Sequence, residues 1–448
     1  MQLLRGFKYF IVTAGVILGC CYSSFAQDKQ EEAEDEGEVF IDVKPGSKNG
    51  IFKGDETIEF KLKVKSTYKQ NQDGKLTYNV LSDDFKQLST NSMPVHLTKN
   101  SSETYSVTLP KRIPGFYRVH FQFNLSAYDD TVKRVFGIDP EKIKTTLHKP
   151  ADFDAFWKGT IDTLKSIKPE FKFTEDKKKS TKEKIVYLCE MKSWEGITIR
   201  GWLVVPKGGK NYPVLYRVPG YTIDMKPDYD KEDFAVFTIN VRGNGNSRDV
   251  IAPDYKQYNL VNIESRDKYI YRGTYMDCLR GADFLTANAA KLRLNADKIV
   301  VEGGSQGGAL AVFVAAMHPN VKLCTYQVPL YADMHDSYAI GSSYPVDTWP
   351  TLVFHDYIKK HPSFTKEKLL AVWDYYDPQN FADKVKCKVL MGIGLLDEFC
   401  PPRCSFGMFN KFANKSNEYF VVPDKAHEVN FTYFTFQYYW LKEVFRMP

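Results

Sequence analysis

The first part of the chain alternates apolar and polar residues with a period of two, which is typical of β-strands. In residues 58–65 apolar side chains alternate with acidic and basic ones, and residues 117–123 repeat the pattern. Each of these strands therefore has one face to bury and one to expose. Gly- and Pro-containing turns separate shorter predicted strands at residues 39–43, 76–80, 104–109 and 132–138. About seven short strands in about 100 residues predict an all-β, immunoglobulin-like sandwich over residues 39–139.

From about residue 140 onwards the pattern changes, and short β-branched runs alternate with helical periodicity. Strands are predicted at residues 184–191, 198–205, 214–218, 235–241, 298–301, 323–327, 388–393 and 419–422. One helix starts after Pro150, and others are predicted near residues 274–291, 306–317, 366–374, 403–412 and 431–445. An opening hairpin followed by alternating strands and helices predicts the α/β class, with an α/β-hydrolase fold over residues 140–448. Residues 343–382 interrupt this rhythm with aromatic-rich sequence and are interpreted as a lid insert.

The stretch Gly303-Gly304-Ser305-Gln306-Gly307 lies between a β-branched run and an apolar helix. This context of strand, turn and helix is the one that the Gly-x-Ser-x-Gly nucleophile elbow requires. A serine at the tip of a sharp turn needs neighbours without Cβ atoms, and the following helix points N–H groups at the place where an oxyanion forms. We therefore predict that Ser305 is a nucleophile. The alternative is a tightly packed structural turn.

A nucleophilic serine also needs a base, and in this fold the acid and the histidine follow the serine at later strand ends. Asp397 lies just beyond the predicted strand at residues 388–393, and His427 lies just beyond the next strand. Of the eight histidines in the chain, only His427 has this topology. Asp397 is the predicted acid, and its alternatives are Asp383, Glu398 and Asp424.

An oxyanion hole needs two N–H donors aimed at the developing negative charge. The backbone N–H of Gln306, directly after the nucleophile, is the first candidate. The second is predicted in the loop Pro219-Gly220-Tyr221 after the strand at residues 214–218. Tyr221 is chosen because Pro219 has no N–H to donate, and the bulky Tyr221 ring is also expected to contact the substrate.

Composition limits the remaining classes of protein. Apolar residues make up 43% and aromatic residues 15% of the 448 residues, which is enough for large cores and more than one domain. The formal charge of +6 is spread along the chain, so no nucleic-acid partner is predicted. No metal or organic cofactor is predicted either, because His and Cys residues do not cluster with metal-ligand spacing. A disulfide between Cys400 and Cys404 is left open.

The pattern of residues 1–26 predicts a signal peptide. Arg5 and Lys8 accompany an apolar run that is too short to span a bilayer, and Ser24-Phe25-Ala26 offers small residues for cleavage. The alternative is a lipobox at residues 17–20 with a lipid anchor on Cys20. Both interpretations predict export, as a periplasmic or secreted protein or as a lipid-anchored outer-membrane lipoprotein. Residues 27–38 then form an acidic linker.

The motifs beyond about Lys149 resemble those of the acetyl xylan esterase and cephalosporin C deacetylase family, carbohydrate esterase family seven. The similar pieces are residues 150–157, 242–247, 269–272, 303–308, 397–402 and 427–428. The resemblance implies a catalytic triad of Ser305, Asp397 and His427. It also implies an oxyanion hole formed by the N–H groups of Tyr221 and Gln306.

The chain departs from this family in three places. The family has His-Gly-Tyr where this chain has Pro219-Gly220-Tyr221, and Arg-Gly-Gln where it has Arg242-Gly243-Asn244. Both differences concern the surroundings of the pocket, so the preferred substrate stays open. Compact family members also lack the β-sandwich, which could cover the interfaces of their ring-like homo-oligomer. Arg242 is interpreted as structural, because its five donors can tie strand-end loops together.

These observations predict an exported serine esterase that removes acetyl groups from carbohydrate hydroxyls, for example those of acetylated xylo-oligosaccharides. Two alternatives stay open. A prolyl-oligopeptidase-like serine peptidase would share the scaffold, whereas a non-enzymatic glycan-binding protein would use the β-sandwich. Residues 141–448, which we call the esterase part, are expected to fold and act without the sandwich, since every predicted catalytic residue lies within them.

Overall fold

The computed structural model describes residues 37–249, 251, 255–346 and 348–448. The predicted signal peptide and most of the acidic linker therefore lie outside the described residues. Within the part of the chain that is described, none of the helices combines the length and the apolar character needed to traverse a bilayer.

The N-terminal part consists of two β-sheets. Its strands are β1 (Val39–Pro45), β2 (Ile51–Phe52), β3 (Ile58–Ser66), β4 (Gln72–Ser82), β5 (Gln87–Leu97), β6 (Ser102–Leu109), β7 (Gly115–Leu125) and β8 (Asp129–Ile138). The first sheet has the order β1-β3-β6 and the second has the order β2-β8-β7-β4-β5. We call these residues the N-terminal β unit.

The two sheets of the N-terminal β unit share one core. Leu62 and Val64 of β3 are fully buried, as are Val119 and Phe121 of β7. The rings of Phe60 and Phe121, one from each sheet, have centroids 5.4 Å apart. The predicted burial of every second residue is therefore observed in β3, and in β7 it holds except that Arg118, predicted on the exposed face, is also buried.

Strand β5 is absent from the predicted strands, and its position explains why. It lies at the edge of its sheet, pairs only with β4, and leaves most of its residues exposed. An edge strand buries few side chains and tolerates a proline, here Pro94, whose missing N–H is not needed by a second neighbour. Its sequence therefore lacks the alternation that marks the buried strands.

The rest of the chain forms a nine-stranded sheet with helices. Its strands are β9 (Lys172–Glu175), β10 (Lys184–Lys192), β11 (Thr198–Pro206), β12 (Tyr212–Arg217), β13 (Ala235–Asn240), β14 (Leu294–Gly304), β15 (Val321–Gln327), β16 (Lys388–Gly394) and β17 (Glu418–Val422). Its helices are α1 (Phe153–Ser166), α2 (Ile270–Ala287), α3 (Ala289–Leu292), α4 (Gln306–Met317), α5 (Met334–Gly341), α6 (Thr351–Lys360), α7 (Lys366–Trp373), α8 (Pro402–Phe409) and α9 (Phe431–Val444).

The order of strands in this sheet is β17-β16-β15-β14-β12-β13-β11-β10-β9. Strands β9, β10 and β11 are antiparallel to their neighbours, and all pairs from β13 to β17 are parallel. The parallel strands read as continuous apolar runs because helices cover both faces; β13, for example, is buried along its whole length. The carboxyl ends of these strands meet at one edge, which is where an α/β sheet places its site.

The observed elements agree with the sequence pattern to within a few residues at most boundaries, but strands β2, β5 and β9 and helix α5 had no predicted counterpart, and α2 begins earlier than predicted. Strand β9, like β5, is a largely exposed strand at the end of its sheet, and it is only four residues long. Helix α2 begins at Ile270 instead of near residue 274. Residues Ile270, Tyr271 and Arg272 therefore lie on the first turn of a buried helix.

Candidate active site

Ser305 lies at the tip of the turn between β14 and α4, with φ of 58° and ψ of −123°. A residue with a side chain rarely adopts this backbone conformation, and such strain is typical of functional turns. Two glycines allow the turn to close. A Cβ on Gly303 would overlap the carbonyl oxygen of Gly307, and a Cβ on Gly307 would lie 2.7 Å from the carbonyl oxygen of Val218.

The structure brings the three residues predicted as a triad into one chain of hydrogen bonds. The Nε2 atom of His427 lies 2.8 Å from the Oγ atom of Ser305. On the other side of the ring, His427 Nδ1 lies 2.9 Å from Asp397 Oδ2. Because a carboxylate only accepts hydrogen bonds, Nδ1 carries the proton and Nε2 is left to accept one from the serine hydroxyl.

The carboxylate of Asp397 is held by the loop that carries it. Its Oδ1 atom accepts hydrogen bonds from the backbone N–H groups of Phe399 and Cys400, both at 2.9 Å. Asp397 is fully buried, so these bonds and the one from His427 satisfy a charge that would otherwise be costly. The other acids considered from the sequence, Asp383, Glu398 and Asp424, are exposed.

The loop Pro219-Gly220-Tyr221 lies beside the nucleophile turn, as predicted for an oxyanion loop. The Gln306 side chain connects the two, since its Nε2 atom lies 3.5 Å from the carbonyl oxygen of Pro219 and 3.4 Å from that of Gly220. Tyr271 holds the same amide by donating its hydroxyl to Gln306 Oε1 at 2.6 Å. Gln306 therefore lies at the start of α4, and its side chain ties this turn to the opposite loop.

Sequence reasoning missed this role of the Gln306 side chain and of Tyr271. The only available signal was the run Tyr269-Ile270-Tyr271-Arg272, which marked a family resemblance without a chemical role. Tyr271 is buried, and burial raises the pKa of its phenol well above the ordinary value. Its hydroxyl therefore stays a hydrogen-bond donor across the physiological pH range.

A row of half-buried aromatic rings begins beside His427. The Phe399 ring lies 5.2 Å from that of His427, Trp349 lies 5.7 Å from Phe399, and Tyr221 lies 5.0 Å from Trp349. Phe399 belongs to the loop that carries Asp397, the predicted acid, and we call this the acid loop. Trp349 lies in the segment before α6, and Tyr221 lies in the loop after β12. The Tyr221 hydroxyl is fixed by a 3.0 Å hydrogen bond to Asn259 Oδ1. We call Tyr221, Trp349 and Phe399 the aromatic wall.

One group of three potential metal ligands occurs among the described residues, and it overlaps the triad. The ligand atoms of Asp397, Cys400 and His427 lie within 4.8 Å of one another. Burial raises the pKa of the Cys400 thiol well above its ordinary value, so the thiol is protonated and a poor ligand at neutral pH. Cys400 and Cys404 are both free thiols, so the disulfide left open by the sequence is not formed.

Arg242 ties together loops behind the site, as its interpretation as a structural residue requires. Its Nε and Nη2 atoms each donate to Asp277 at 2.9 Å, and its Nη1 atom donates to Glu195 at 3.0 Å. Asp277 is fully buried and also accepts a hydrogen bond from Ser193. Among the described residues, hydrogen bonds join Arg242 to Asp277, Glu195, Trp194 and Tyr258 and not to Ser305 or His427, so its effect on chemistry is indirect.

We expect the Arg242→Met variant to lose about 3–5 kcal/mol of the free energy of unfolding, because it leaves Asp277 as a buried charge without its cation. Denaturant unfolding followed by circular dichroism measures this loss. Arg293→Met, which changes an exposed arginine, is the matched control and should stay within about 0.5 kcal/mol of the wild type. An Arg242→Met protein as stable as the wild type would contradict the structural role.

The sequence of this chain is similar to those of known acetyl esterases. The model of the acetyl xylan esterase family matches residues 139–444. The acetyl esterase Axe7A of Xylanibacter ruminicola is 30% identical over 351 residues, which cover 74% of each chain.

Two solved structures are also similar. The acetyl xylan esterase from Paenibacillus sp. R4 superimposes with a TM-score of 0.60 at 25% identity, covering 68% of this chain and 98% of that one. Acetyl xylan esterase 1 from a Thermoanaerobacterium species gives a TM-score of 0.60 at 23% identity, covering 68% of this chain and 97% of that one. The second likeness shows the shared α/β-hydrolase-like fold.

Proposed function

The chain belongs to the acetyl xylan esterase family and is a carboxylic-ester hydrolase, and we propose that it removes acetyl groups from carbohydrate hydroxyls through an acyl-enzyme on Ser305. The observation that carries this proposal is the continuous hydrogen-bonded chain from Ser305 through His427 to Asp397. Acetylated xylo-oligosaccharides are the proposed substrate class, in line with the names of the relatives.

In the proposed reaction, Ser305 Oγ attacks the acetyl carbonyl carbon while His427 Nε2 takes the hydroxyl proton. Asp397 stabilises the imidazolium that forms, and it keeps the ring in the required tautomer. The bond from the carbonyl carbon to the sugar oxygen then breaks, and His427 returns the proton to that oxygen. Water attacks the acetyl-serine with the same base, which releases acetate and restores Ser305.

The negative charge on the tetrahedral oxygen is proposed to be held by the backbone N–H groups of Gln306 and Tyr221. The support is positional, since Gln306 begins α4 and its side chain fastens the loop that carries Tyr221. A donor fixed before the reaction starts stabilises the transition state without reorganisation.

The proposed organisation follows the predicted boundaries. Residues 39–139 are an immunoglobulin-like β-sandwich domain, residues 140–448 are the esterase domain, and residues about 343–382 are a lid insert. The two packed sheets of the N-terminal β unit and the position of Trp349 over Tyr221 support this division. Export is proposed from the sequence of residues 1–26, with signal-peptide cleavage or a lipid anchor on Cys20, and a homo-oligomer remains a prediction.

Acetate release from a panel of acetylated oligosaccharides tests the proposed function. The purified chain should release acetate from at least one sugar ester, whereas release from none of them, combined with hydrolysis of dipeptide amides, would favour the peptidase alternative. The non-enzymatic alternative is not compatible with family membership. Labelling by a fluorophosphonate followed by peptide mass mapping should locate the adduct on Ser305.

The aromatic wall predicts a preference for short acyl chains. Each methylene forced against packed rings costs on the order of 1–3 kcal/mol, so kcat/KM for p-nitrophenyl acetate should exceed that for butyrate by at least about tenfold. Octanoate should be almost inert. The measurement is kcat/KM for acetate, propionate, butyrate and octanoate at one pH.

The Trp349→Ala variant provides the matched comparison, because it removes one ring of the wall and leaves the triad unchanged. Its ratio of acetate to butyrate kcat/KM should fall towards one. A wild-type profile that is flat or rises with chain length would mean that the acyl group lies in an open apolar groove.

A further inference from the structure

The N-terminal β unit does not lie apart from the esterase part, because the two share a core. Phe116 and Val135, on β7 and β8, are buried in the same apolar cluster as Leu395 and Phe406 of the esterase part. The rings of Phe116 and Phe406 have centroids 5.5 Å apart. Removing the β unit would therefore expose an apolar surface on the esterase part. The expectation that the esterase part folds and acts alone stays a prediction.

The same junction contacts the loop that carries Asp397 and the loop that carries His427. Gly50, between β1 and β2, packs so closely that an added Cβ would lie 2.9 Å from Leu395 Cδ1 and 3.4 Å from Pro423 Cβ. Leu395 precedes Asp397 by two residues, and Pro423 precedes His427 by four. The N-terminal β unit thus supports the loops that carry the predicted acid and the predicted base.

Arg118 of β7 is a buried charged residue at this junction. It is 8% exposed, and its Nη2 atom donates to the hydroxyl of Tyr344 at 3.2 Å. Its Nη1 atom lies 3.7 Å from Oε1 of Glu398, the residue after Asp397. A single guanidinium therefore reaches the acid loop and the segment that leads to Trp349.

Aromatic rings fix the guanidinium in place. Arg118 Cζ lies 4.5 Å from the centroid of Phe85 and 5.3 Å from that of Tyr344. Phe85 belongs to the turn between β4 and β5 and packs edge-on against Tyr344 at 5.2 Å. Tyr344 is buried against Ile340 and Cys404, so the contact couples the β unit to α5 and α8.

We propose that Arg118 is a positioning residue for catalysis, and that through it the N-terminal β unit sets the geometry of the acid loop and of the aromatic wall. This inference rests on the proposed roles of Asp397 and His427. The ion pair with Glu398 contributes little to stability, because Glu398 has a side chain that is 47% exposed and exposed pairs are weak. The contribution proposed for Arg118 is therefore geometric, through the contacts of its guanidinium with Tyr344 and Glu398, and it is tested on the catalytic rate.

The test compares full-length variants by kcat, KM and melting temperature with p-nitrophenyl acetate and an acetylated xylo-oligosaccharide. Arg118→Met should lower kcat by about 10- to 100-fold, because a displacement of about 1 Å at a catalytic group costs up to about 100-fold. KM for the small aryl ester should change by less than about twofold, since the ester does not reach Arg118. Arg118→Lys restores the charge without the planar fork and should recover only part of kcat.

Tyr344→Phe is the mild variant, because it removes only the hydroxyl that accepts the Arg118 hydrogen bond. It should lower kcat less than Arg118→Met does, and the double variant should be no slower than Arg118→Met alone, as expected for residues that act through one contact. Arg112→Met is the matched control in the same β unit, where Arg112 donates to Ser89, and it should keep the wild-type kcat.

Three results would overturn the proposal. The first is a folded Arg118→Met protein with wild-type kcat, and the second is an Arg112→Met protein that loses as much activity. The third applies if Arg118→Met does not fold, and it is a Tyr344→Phe protein that keeps the wild-type kcat on both substrates. A wild-type chain without esterase activity, or an active Asp397→Asn variant, would instead refute the catalytic roles on which the proposal rests.

Discussion

The Ser305→Ala variant should lose at least about 10⁴-fold in kcat on any acetyl ester while keeping the wild-type fold. The substitution removes the attacking oxygen, and loss of the nucleophile in a serine hydrolase costs several orders of magnitude because the triad acts as a unit. The fold should survive because alanine keeps the Cβ that already lies at φ of 58°. Only the hydrogen bond from the hydroxyl to His427 disappears.

Steady-state kinetics with p-nitrophenyl acetate and acetate release from a sugar ester measure this loss, and circular dichroism checks the fold. Ser363→Ala, which changes an exposed serine between α6 and α7, is the control and should turn over like the wild type. Fluorophosphonate labelling should vanish in Ser305→Ala and persist in the control. Wild-type turnover by Ser305→Ala, with contaminating esterases excluded, would end the serine-esterase interpretation.

The Asp397→Asn variant should lose about 10⁴-fold in kcat, the cost of the same change in a well-studied serine protease triad. The carboxylate accepts three hydrogen bonds, from His427 and from the N–H groups of Phe399 and Cys400. An asparagine can keep the backbone bonds with its carbonyl oxygen, but its NH₂ group then faces His427. The ring must present an acceptor there, so Nε2 becomes protonated and can no longer act as the base.

Asp424→Asn tests the same chemistry on an exposed aspartate of the loop that carries His427, and its kcat should match that of the wild type. The two variants are compared at several pH values, with the melting temperature as a check on folding. Near-wild-type activity of Asp397→Asn would reopen the choice of acid. A comparable loss in Asp424→Asn or in Glu398→Gln would indicate which alternative holds the role.

The family resemblance seen in the sequence is confirmed by the comparisons, and the α/β-hydrolase-like layout was predictable from local pattern. Apolar runs such as those of β14 and β16 mark buried parallel strands. The carboxyl ends of parallel strands lie at one edge of the sheet, so residues that directly follow them come together. Ser305, Asp397 and His427 could therefore be placed near one another from their positions after strand ends.

Two of the strands that escaped prediction share a physical cause. Strands β5 and β9 lie at sheet edges and leave most residues exposed, so burial imposes little pattern on their sequences. Boundaries that differ, such as the start of α2 at Ile270, depend on packing around the helix. Local propensity is weak compared with such tertiary contacts.

The residues that follow the strands, and the glycines that permit a sharp turn, could be read from the chain because both depend on neighbours along it. Which distant side chains meet depends instead on how the whole chain packs. Arg118 contacts Tyr344 across 226 residues, and Gln306 reaches the carbonyl of Pro219 across 87. Contacts of this kind arise when separate sheets and loops pack together, and no periodicity in the chain records them. The contacts of the N-terminal β unit with the loop that carries Asp397, and of Gln306 and Tyr271 with the loop of residues 219–221, could therefore be seen only in the folded molecule.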